Sequence, residues 1–270
     1  MPYEATYGRC SACATTFQSP MPGSAALAGF YPADYHSVGR AGLLTRLRHD
    51  LRARRLESLF HGDGAVLDYG CGDGSFLLRA HRRWPQRRLF GYEIGERREV
   101  VELENGAVSI VRGSLDDLLS VLPECSVITM NHVIEHLPDP LATLSALRAR
   151  LATGGVLEGQ TPAAGSLEQR VFGPRWSGYH APRHTVVFSR QGLAALLDRA
   201  GFTRPAIQSA FNPAGLAISL ATLMQPKQAP GRIERRGLGW LLWLGLGTML
   251  APVDALSGAP GIVNFAASRS

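Results

Sequence analysis

The chain has 270 residues, 45% of them hydrophobic and 19% charged, with a formal net charge of +6. That size and balance suit one globular domain with additions and exclude bulk disorder. Lys227 is the only lysine, so the positive balance is an arginine excess. Compositional bias towards arginine explains it first, although a basic balance also suits nucleic acid, an anionic membrane surface or an acidic substrate. Four cysteines, Cys10, Cys13, Cys71 and Cys125, make no disulfide framework in a chain this long. Residues 1–19 carry neither a basic leader nor an apolar core of a signal peptide, so a reducing, cytoplasmic setting is expected.

Residues 1–40 lack periodicity and read as an irregular arm. Leu43, Leu44, Leu47, Leu51, Leu56, Leu59 and Phe60 then recur at mostly helical spacing, with Arg46, Arg48, Arg52, Arg54 and Arg55 between them. This predicts an amphipathic helix with a basic outer face. From residue 65 strands and helices alternate. Strands are predicted over 65–69, 88–93, 107–111, 126–130 and 155–159, with late strands over 202–210 and 262–267. Helices are predicted over 75–84, near 96–104, over 140–151 and over 190–200. Alternation of this kind argues for βαβ units around a parallel sheet. Right-handed crossovers then gather the loops after each strand on one sheet edge.

The sharpest motif is Val66-Leu67-Asp68-Tyr69-Gly70-Cys71-Gly72-Asp73-Gly74-Ser75. A buried strand runs into glycines at alternate positions and then into a helix. Glycine permits positive φ and close approach of a ligand to the backbone, and a helix N-terminus favours an anionic group. Glycines alone mark any turn, but the strand-before, helix-after context is that of a nucleotide loop. The spacing is G-x-G-x-G, not the G-x-G-x-x-G of dinucleotide folds.

This loop resembles motif I of the class I, S-adenosylmethionine-dependent methyltransferases. The resemblance implies S-adenosylmethionine as cofactor, held by Asp68, Gly70, Cys71, Gly72 and Gly74, with Glu93 at the end of the second strand as the ribose acid. It also implies Ser114 and Leu115 near the adenine, although many members carry Asp where Ser114 stands, and Asn131 at the end of the fourth strand. Asp116 reads equally well as the N-cap of the next helix. Thr129 to Pro140, with its Glu135-His136-Leu137-Pro138-Asp139-Pro140, resembles the small-molecule methyltransferases related to the ubiquinone-biosynthesis O-methyltransferases. Ser126 departs from the Asp common there. The fold implied is a Rossmann-like, seven-stranded α/β methyltransferase sheet with flanking helices.

A hydroxyl acceptor must lose a proton, and histidine suits that role near neutral pH. His136, His180 and His184 are the candidate catalytic residues, although a histidine taken alone is more often structural than a base. Trp176 to His184 is similar to the family's loop over the active site, which makes Trp176, Tyr179 and Arg183 candidates for acceptor contact. Tyr31 and Tyr35 resemble the tyrosine-rich arm that precedes the domain in these relatives, and read equally as a lid over the cofactor or as a tethering arm packed by its aromatics. Some quinone-pathway relatives use magnesium, but one glutamate beside one histidine reads better as capping and loop hydrogen bonding, so no metal is expected. Cys10-x-x-Cys13 is half of a zinc ribbon without a second pair.

About fifty residues separate the last two predicted strands, far beyond a hairpin link. They hold a basic cluster, Lys227, Arg232, Arg235 and Arg236, and an uncharged run over 237–253 with Trp240 and Trp243. Spanning a bilayer would put the last strand on the wrong side, so two readings remain. One is a packed lid over an apolar pocket; the other is peripheral contact with the inner face of a membrane. The expected organisation is an arm and basic helix over 1–60, a cofactor-binding domain over 61–211 plus 261–270, and an apolar helical insertion over 212–260. The expected function is methyl transfer to a small-molecule acceptor, a hydroxyl of an aromatic or lipophilic compound. An RNA or protein methyltransferase and a non-catalytic cofactor-binding or membrane-associated partner are the alternatives. Nucleic acid is not expected, because no RNA-binding module is recognisable.

Overall fold

Val66 and Asp68 point to one side of their strand, and Leu67 and Tyr69 to the other. Burial on both faces is the mark of a central parallel strand. In the computed structural model, which describes residues 5–23, 43–60, 62–95, 97–224 and 237–270, this strand sits in the middle of the sheet. The strands are β1 (Tyr7–Arg9), β2 (Thr16–Gln18), β3 (Ala65–Tyr69), β4 (Leu89–Ile94), β5 (Glu99–Leu103), β6 (Val108–Gly113), β7 (Cys125–Asn131), β8 (Leu151–Pro162), β9 (Val186–Val187), β10 (Thr203–Ser209) and β11 (Ile262–Ser268). The helices are α1 (Leu43–Glu57), α2 (Ser75–His81), α3 (Leu115–Val121), α4 (Pro140–Arg148), α5 (Leu167–Phe172), α6 (Arg190–Arg199), α7 (Pro213–Met224) and α8 (Gly237–Leu256).

The main sheet has eight strands in the order β10-β11-β8-β7-β3-β4-β6-β5. β6, β4, β3, β7 and β8 are parallel, and β11, β10 and β5 are antiparallel to their neighbours. α1 and α2 cover one face through Ala53, Leu56, Phe76, Leu77 and Ala80. α3, α4 and α6 cover the other through Leu118, Leu144, Leu147, Leu193 and Leu197. The parallel strands all deliver their C-terminal ends to one edge, where ligands bind in open α/β sheets.

Four expectations are corrected. The sheet has eight strands rather than seven, because the segment read as a helix near 96–104 forms β5. Val100 and Val101 are β-branched and pair in register with Val111 and Ile110 of β6, which outweighs the helix preference of the flanking glutamates. The arm over 1–40 is not wholly irregular: β1 and β2 form a hairpin joined by β9 into a second sheet. Helix α1 does not carry a purely basic outer face. Leu47 and Leu51 are exposed, while Arg52 turns inward with Ala53 and Leu56. Finally, Ser114 rather than Asp116 caps α3, in a reciprocal capping box with Asp117.

In the segment between β10 and β11, α7 and α8 pack against each other through small residues. A Cβ at Gly247 would lie 2.3 Å from the Pro213 carbonyl oxygen, so only glycine allows that approach. Ala251 and Asp254 are also buried, but Leu238, Leu242, Met249, Val253 and Leu256 face outward. Among the described residues α8 is the one helix long and apolar enough to cross a membrane. Its C-terminal end leads directly into β11, which lies between β8 and β10 in the main sheet. Tyr31, Tyr35 and the basic cluster at Lys227, Arg232, Arg235 and Arg236 lie outside the described residues.

Candidate active site

The glycine loop leaves β3 with positive φ at Gly70, Gly72 and Gly74 (81°, 57° and 74°). Added Cβ atoms at Gly70 and Gly74 would strike Val133 and Ile110, each at 2.4 Å, whereas one at Gly72 would meet open space. The loop is therefore clamped at both ends and concave in the middle. The Gly70 and Cys71 amides donate to the Tyr92 carbonyl, at 2.8 and 2.9 Å. Cys71 is buried under the loop beside Gly91, and burial pushes its thiol up. At the tip of β4, the Glu93 carboxylate accepts the Gly72 amide at 2.8 Å. Glu93 thus stands at the end of the second parallel strand, beside the glycine loop. Ser114 uses its hydroxyl in the α3 cap, 2.7 Å from Asp117, and Leu115 follows it, half-buried. The Asn131 amide donates to Thr129 at 3.1 Å.

Asp68 does not face the loop concavity. Its carboxylate points to the α1 side and accepts the Arg52 guanidinium at 2.6 Å; Arg52 also donates to Thr129. Thr129 in turn bonds Glu158 of β8, which pairs with Arg55. Burial pushes the Asp68 carboxyl up, and Arg52 pulls against it. This ionic layer of Arg52, Arg55, Asp68 and Glu158 was not foreseen. Its signal was Glu158, a charge inside an otherwise apolar strand, which is rarely buried without a partner.

After β7 the chain turns sharply through His132 (φ 54°) into a short 3₁₀ turn, Ile134–His136. Val133, on this turn, is the residue clamped against Gly70. The next residues but one, Glu135 and His136, are met by a loop from the far side of β8. The Thr185 amide donates to the Glu135 carbonyl at 3.0 Å, which seats His184 against the turn. The small sheet braces that loop, since the Tyr7 hydroxyl and Gln18 amide donate to the His184 carbonyl at 2.7 and 3.1 Å.

His184 Nδ1 lies 2.7 Å from the Gly178 carbonyl and His136 Nδ1 lies 3.0 Å from the Arg183 carbonyl. A carbonyl only accepts, so both imidazoles carry hydrogen on Nδ1 and a lone pair on Nε2. The rings meet edge to face with centroids 4.6 Å apart. His180 packs on His184 at 5.1 Å and lies 3.3 Å from an Arg183 guanidinium nitrogen. Glu135, fully buried, accepts Thr161 at 2.9 Å on Oε2; His132 Nδ1 is 3.3 Å and His184 Nε2 4.0 Å from Oε1. Burial opposes charge on Glu135, but His132 and the other histidines outweigh it and hold its carboxyl down at about 2. Burial pushes His184 down to about 3 and lowers His136 as well. At neutral pH a carboxylate therefore faces two neutral imidazoles.

Sequence reasoning named His136, His180 and His184, and the fold brings all three together. Trp176 lies elsewhere. It is fully buried with Phe172, Leu216 and Ala251, donates to Glu168 at 3.2 Å, and anchors the loop to α7. Tyr179 stacks between Tyr7 and Trp176 with its hydroxyl 2.8 Å from Gln169. Cys10 and Cys13 sit on the β1–β2 turn, where the Cys10 amide donates to the Thr15 carbonyl at 2.8 Å. Hydrogen bonds from Thr15 lower the Cys13 thiol.

A family described as a methyltransferase domain matches residues 40–204. The chain belongs to that family. That family is one of methyltransferase domains, the class the glycine loop led us to expect. The chain is 33% identical over 120 residues to the trans-aconitate 2-methyltransferase of Azoarcus sp. (strain BH72), covering 44% of this chain and 46% of that protein. It is 28% identical over 160 residues to the indolepyruvate C-methyltransferase of Streptomyces griseus, covering 54% and 48%. The match thus spans about half the length of these curated relatives. Among solved structures, a methyltransferase of Archaeoglobus fulgidus shares the fold with a TM-score of 0.52 and 21% identity, over 83% of this chain and 94% of that one. A phosphoethanolamine N-methyltransferase of Haemonchus contortus, solved with S-adenosyl-L-methionine, has a TM-score of 0.53 at 13% identity, over 90% and 57%.

Proposed function

We propose that this chain transfers the methyl group of S-adenosylmethionine to a small-molecule acceptor held over the ends of β7 and β8. The observation that carries the reading is the join between two sites: Val133 touches the glycine loop and leads, two residues on, into the cluster of Glu135, His136 and His184. Methyl transfer from a sulfonium is an in-line displacement, so acceptor and cofactor must lie side by side. Gly70, Cys71, Gly72 and Gly74 shape the cofactor cradle. Glu93 holds the ribose hydroxyls, Ser114 and Leu115 flank the adenine, and Asn131 borders the methionine end. Asp68 acts from beneath, by fixing the strand that bears the loop through Arg52. When bound, S-adenosylmethionine supplies the electrophilic methyl group. The chain's own task is to orient the acceptor and accept its proton, and the imidazoles of His136, His184 and His180 are the groups for it.

The acceptor is a hydroxyl or enol of an aromatic or lipophilic compound. The names of the two curated relatives support a small organic acceptor. The outward apolar face of α8 supports lipophilicity, because its exposed Leu238, Leu242, Met249, Val253 and Leu256, preceded by a basic stretch of sequence, suit contact with an anionic lipid surface, while Trp240 and Trp243 pack inward against Ile218 and Ala221. Tyr179 and Arg183 line the loop beside the histidines and complete the acceptor site.

Calorimetric titration with S-adenosylmethionine and S-adenosylhomocysteine tests the cofactor half. Hydrogen bonds to a charged group contribute about 1.5–3 kcal/mol, so Glu93→Ala should weaken binding about 10- to 100-fold. Equal affinity in Glu93→Ala and the parent would remove the ribose assignment. Absence of binding by the folded parent would remove the reading altogether.

A further inference from the structure

The cluster behind the cofactor edge has an unsettled charge balance. Glu135 Oε1 is buried and accepts no aligned hydrogen bond, although it sits beside His132 and His184. A buried carboxylate with one oxygen unsatisfied is costly unless a cation completes it. One donor atom from each of Glu135, His136 and His184 lies within 4.8 Å of the other two. In a tetrahedral site with bonds near 2.1 Å, ligand atoms stand about 3.4 Å apart, so small side-chain rotations close the gap. His184 cannot drift, because its Nδ1 is fixed by the Gly178 carbonyl. His136 Nδ1 is likewise tied to the Arg183 carbonyl, and Glu135 Oε2 to Thr161. These are the outer contacts that orient metal ligands: imidazoles tied at one nitrogen by carbonyls, a carboxylate tied at one oxygen by a hydroxyl.

From this geometry we infer that Glu135, His136 and His184 bind a borderline first-row divalent cation of the zinc or cobalt type. Magnesium does not fit, because it demands an oxygen shell and two of these three donors are imidazole nitrogens. Three protein ligands leave a fourth position for water or for an acceptor oxygen; with an ion bound, His136 and His184 act as ligands and the proton-accepting role falls to His180. His184 is the ligand that sequence spacing conceals, since it lies on a different loop from the Glu135-His136 pair. Because Val133 of the same turn abuts Gly70, an ion here adjoins the cofactor loop. Metal binding and cofactor binding are separable properties, so either can fail without the other.

The test is titration of the chelator-treated full chain with Co²⁺, read by visible d–d absorption and by calorimetry, with Mg²⁺ as control. One equivalent of Co²⁺ should bind and give a tetrahedral spectrum, with no response to Mg²⁺. His136→Ala, whose side chain is only part-buried, should abolish the spectrum while the fold, checked by circular dichroism, persists. Thr161→Val, which removes an outer contact and leaves all three donors, should weaken Co²⁺ about 10- to 100-fold. Substitution of Cys10 and Cys13 by serine should leave the spectrum unchanged. No Co²⁺ spectrum in the folded parent, or a spectrum lost only on substituting the cysteines, would overturn the inference. S-adenosylmethionine affinity measured on the same samples reports separately on the proposed function.

Discussion

Two buried glutamates in this chain are tuned in opposite directions. Glu135, at the cofactor edge of the sheet, is fully buried and its carboxyl is held down at about 2. Glu168, on α5 beside the inner face of α8, is 2% exposed, and burial next to Asp254 pushes its carboxyl up to about 8. Burial acts the same way on both. The neighbours decide the outcome: histidines surround the first, and another carboxyl faces the second. At neutral pH the sheet edge keeps its charge, and the α5–α8 junction has had its charge removed by a proton. That proton lets α8 rest on the domain through an acid pair, a contact which ionisation weakens.

Asp68 is the case that sharpens the comparison most strongly, because its partner is a permanent cation. Arg52 is mostly buried and its guanidinium lies 2.6 Å from Asp68. Removing one member strands the other, so Asp68→Ala or Arg52→Met alone should cost about 3–5 kcal/mol in urea unfolding. The double substitution Arg52→Met with Asp68→Leu should regain much of that loss, since no charge then stays buried. A single-substitution cost near zero would mean that water reaches the pair. Glu93, half-buried at the strand tip, separates cofactor affinity from stability better than Asp68 does.

Much of the cofactor edge was legible because it is local. β3, β4, β6 and β7 are apolar runs ended by glycine or by a polar turn, and Asp68, Gly70, Gly72, Gly74 and Glu93 follow at short spacings. What escaped depends on contacts distant in sequence. β5 pairs only because β6 supplies a β-branched partner row. β1, β2 and β9 are two or three residues long, too short for any period to emerge. Arg52 and Arg55 look like a solvated face until Asp68 and Glu158 are placed opposite them. His184 joins Glu135 across 49 positions through a backbone hydrogen bond from Thr185, which no spacing rule anticipates.

The acid pair makes a prediction with a definite sign. Glutamate in the unfolded chain loses its proton near 4.5, and in the folded chain near 8. Between those values the native state holds the extra proton, so unfolding free energy falls as pH rises across the window. The contribution is complete below the unfolded value and is lost as pH passes the folded one. Urea midpoints should therefore decline from about pH 5 to about pH 9, with α8 the first element to lose hydrogen-exchange protection. Glu168→Gln cannot ionise and should flatten that decline. A parent chain whose midpoint is level over the window would show that Asp254 and Glu168 do not share a proton.

The smallest expected effect on stability falls on the outer face of α8, and there the contrast between the two helix faces can be broken deliberately. Leu242 and Met249 are 71% and 76% exposed, so in water they contribute little to folding. Replacing both with serine should change urea stability by no more than about 0.5 kcal/mol, the usual range for surface positions. Burial of apolar area in lipid is worth about 25 cal/mol per Å², so the same two substitutions should sharply reduce co-sedimentation with vesicles containing anionic lipid. The pairing of outcomes is what discriminates. Lost vesicle binding with unchanged folding assigns the face to a lipid surface. A loss of stability would instead mean that the leucine and methionine pack against protein, as a packed lid requires. Unchanged binding and unchanged folding would leave α8 as an apolar face that a lipophilic acceptor does not need.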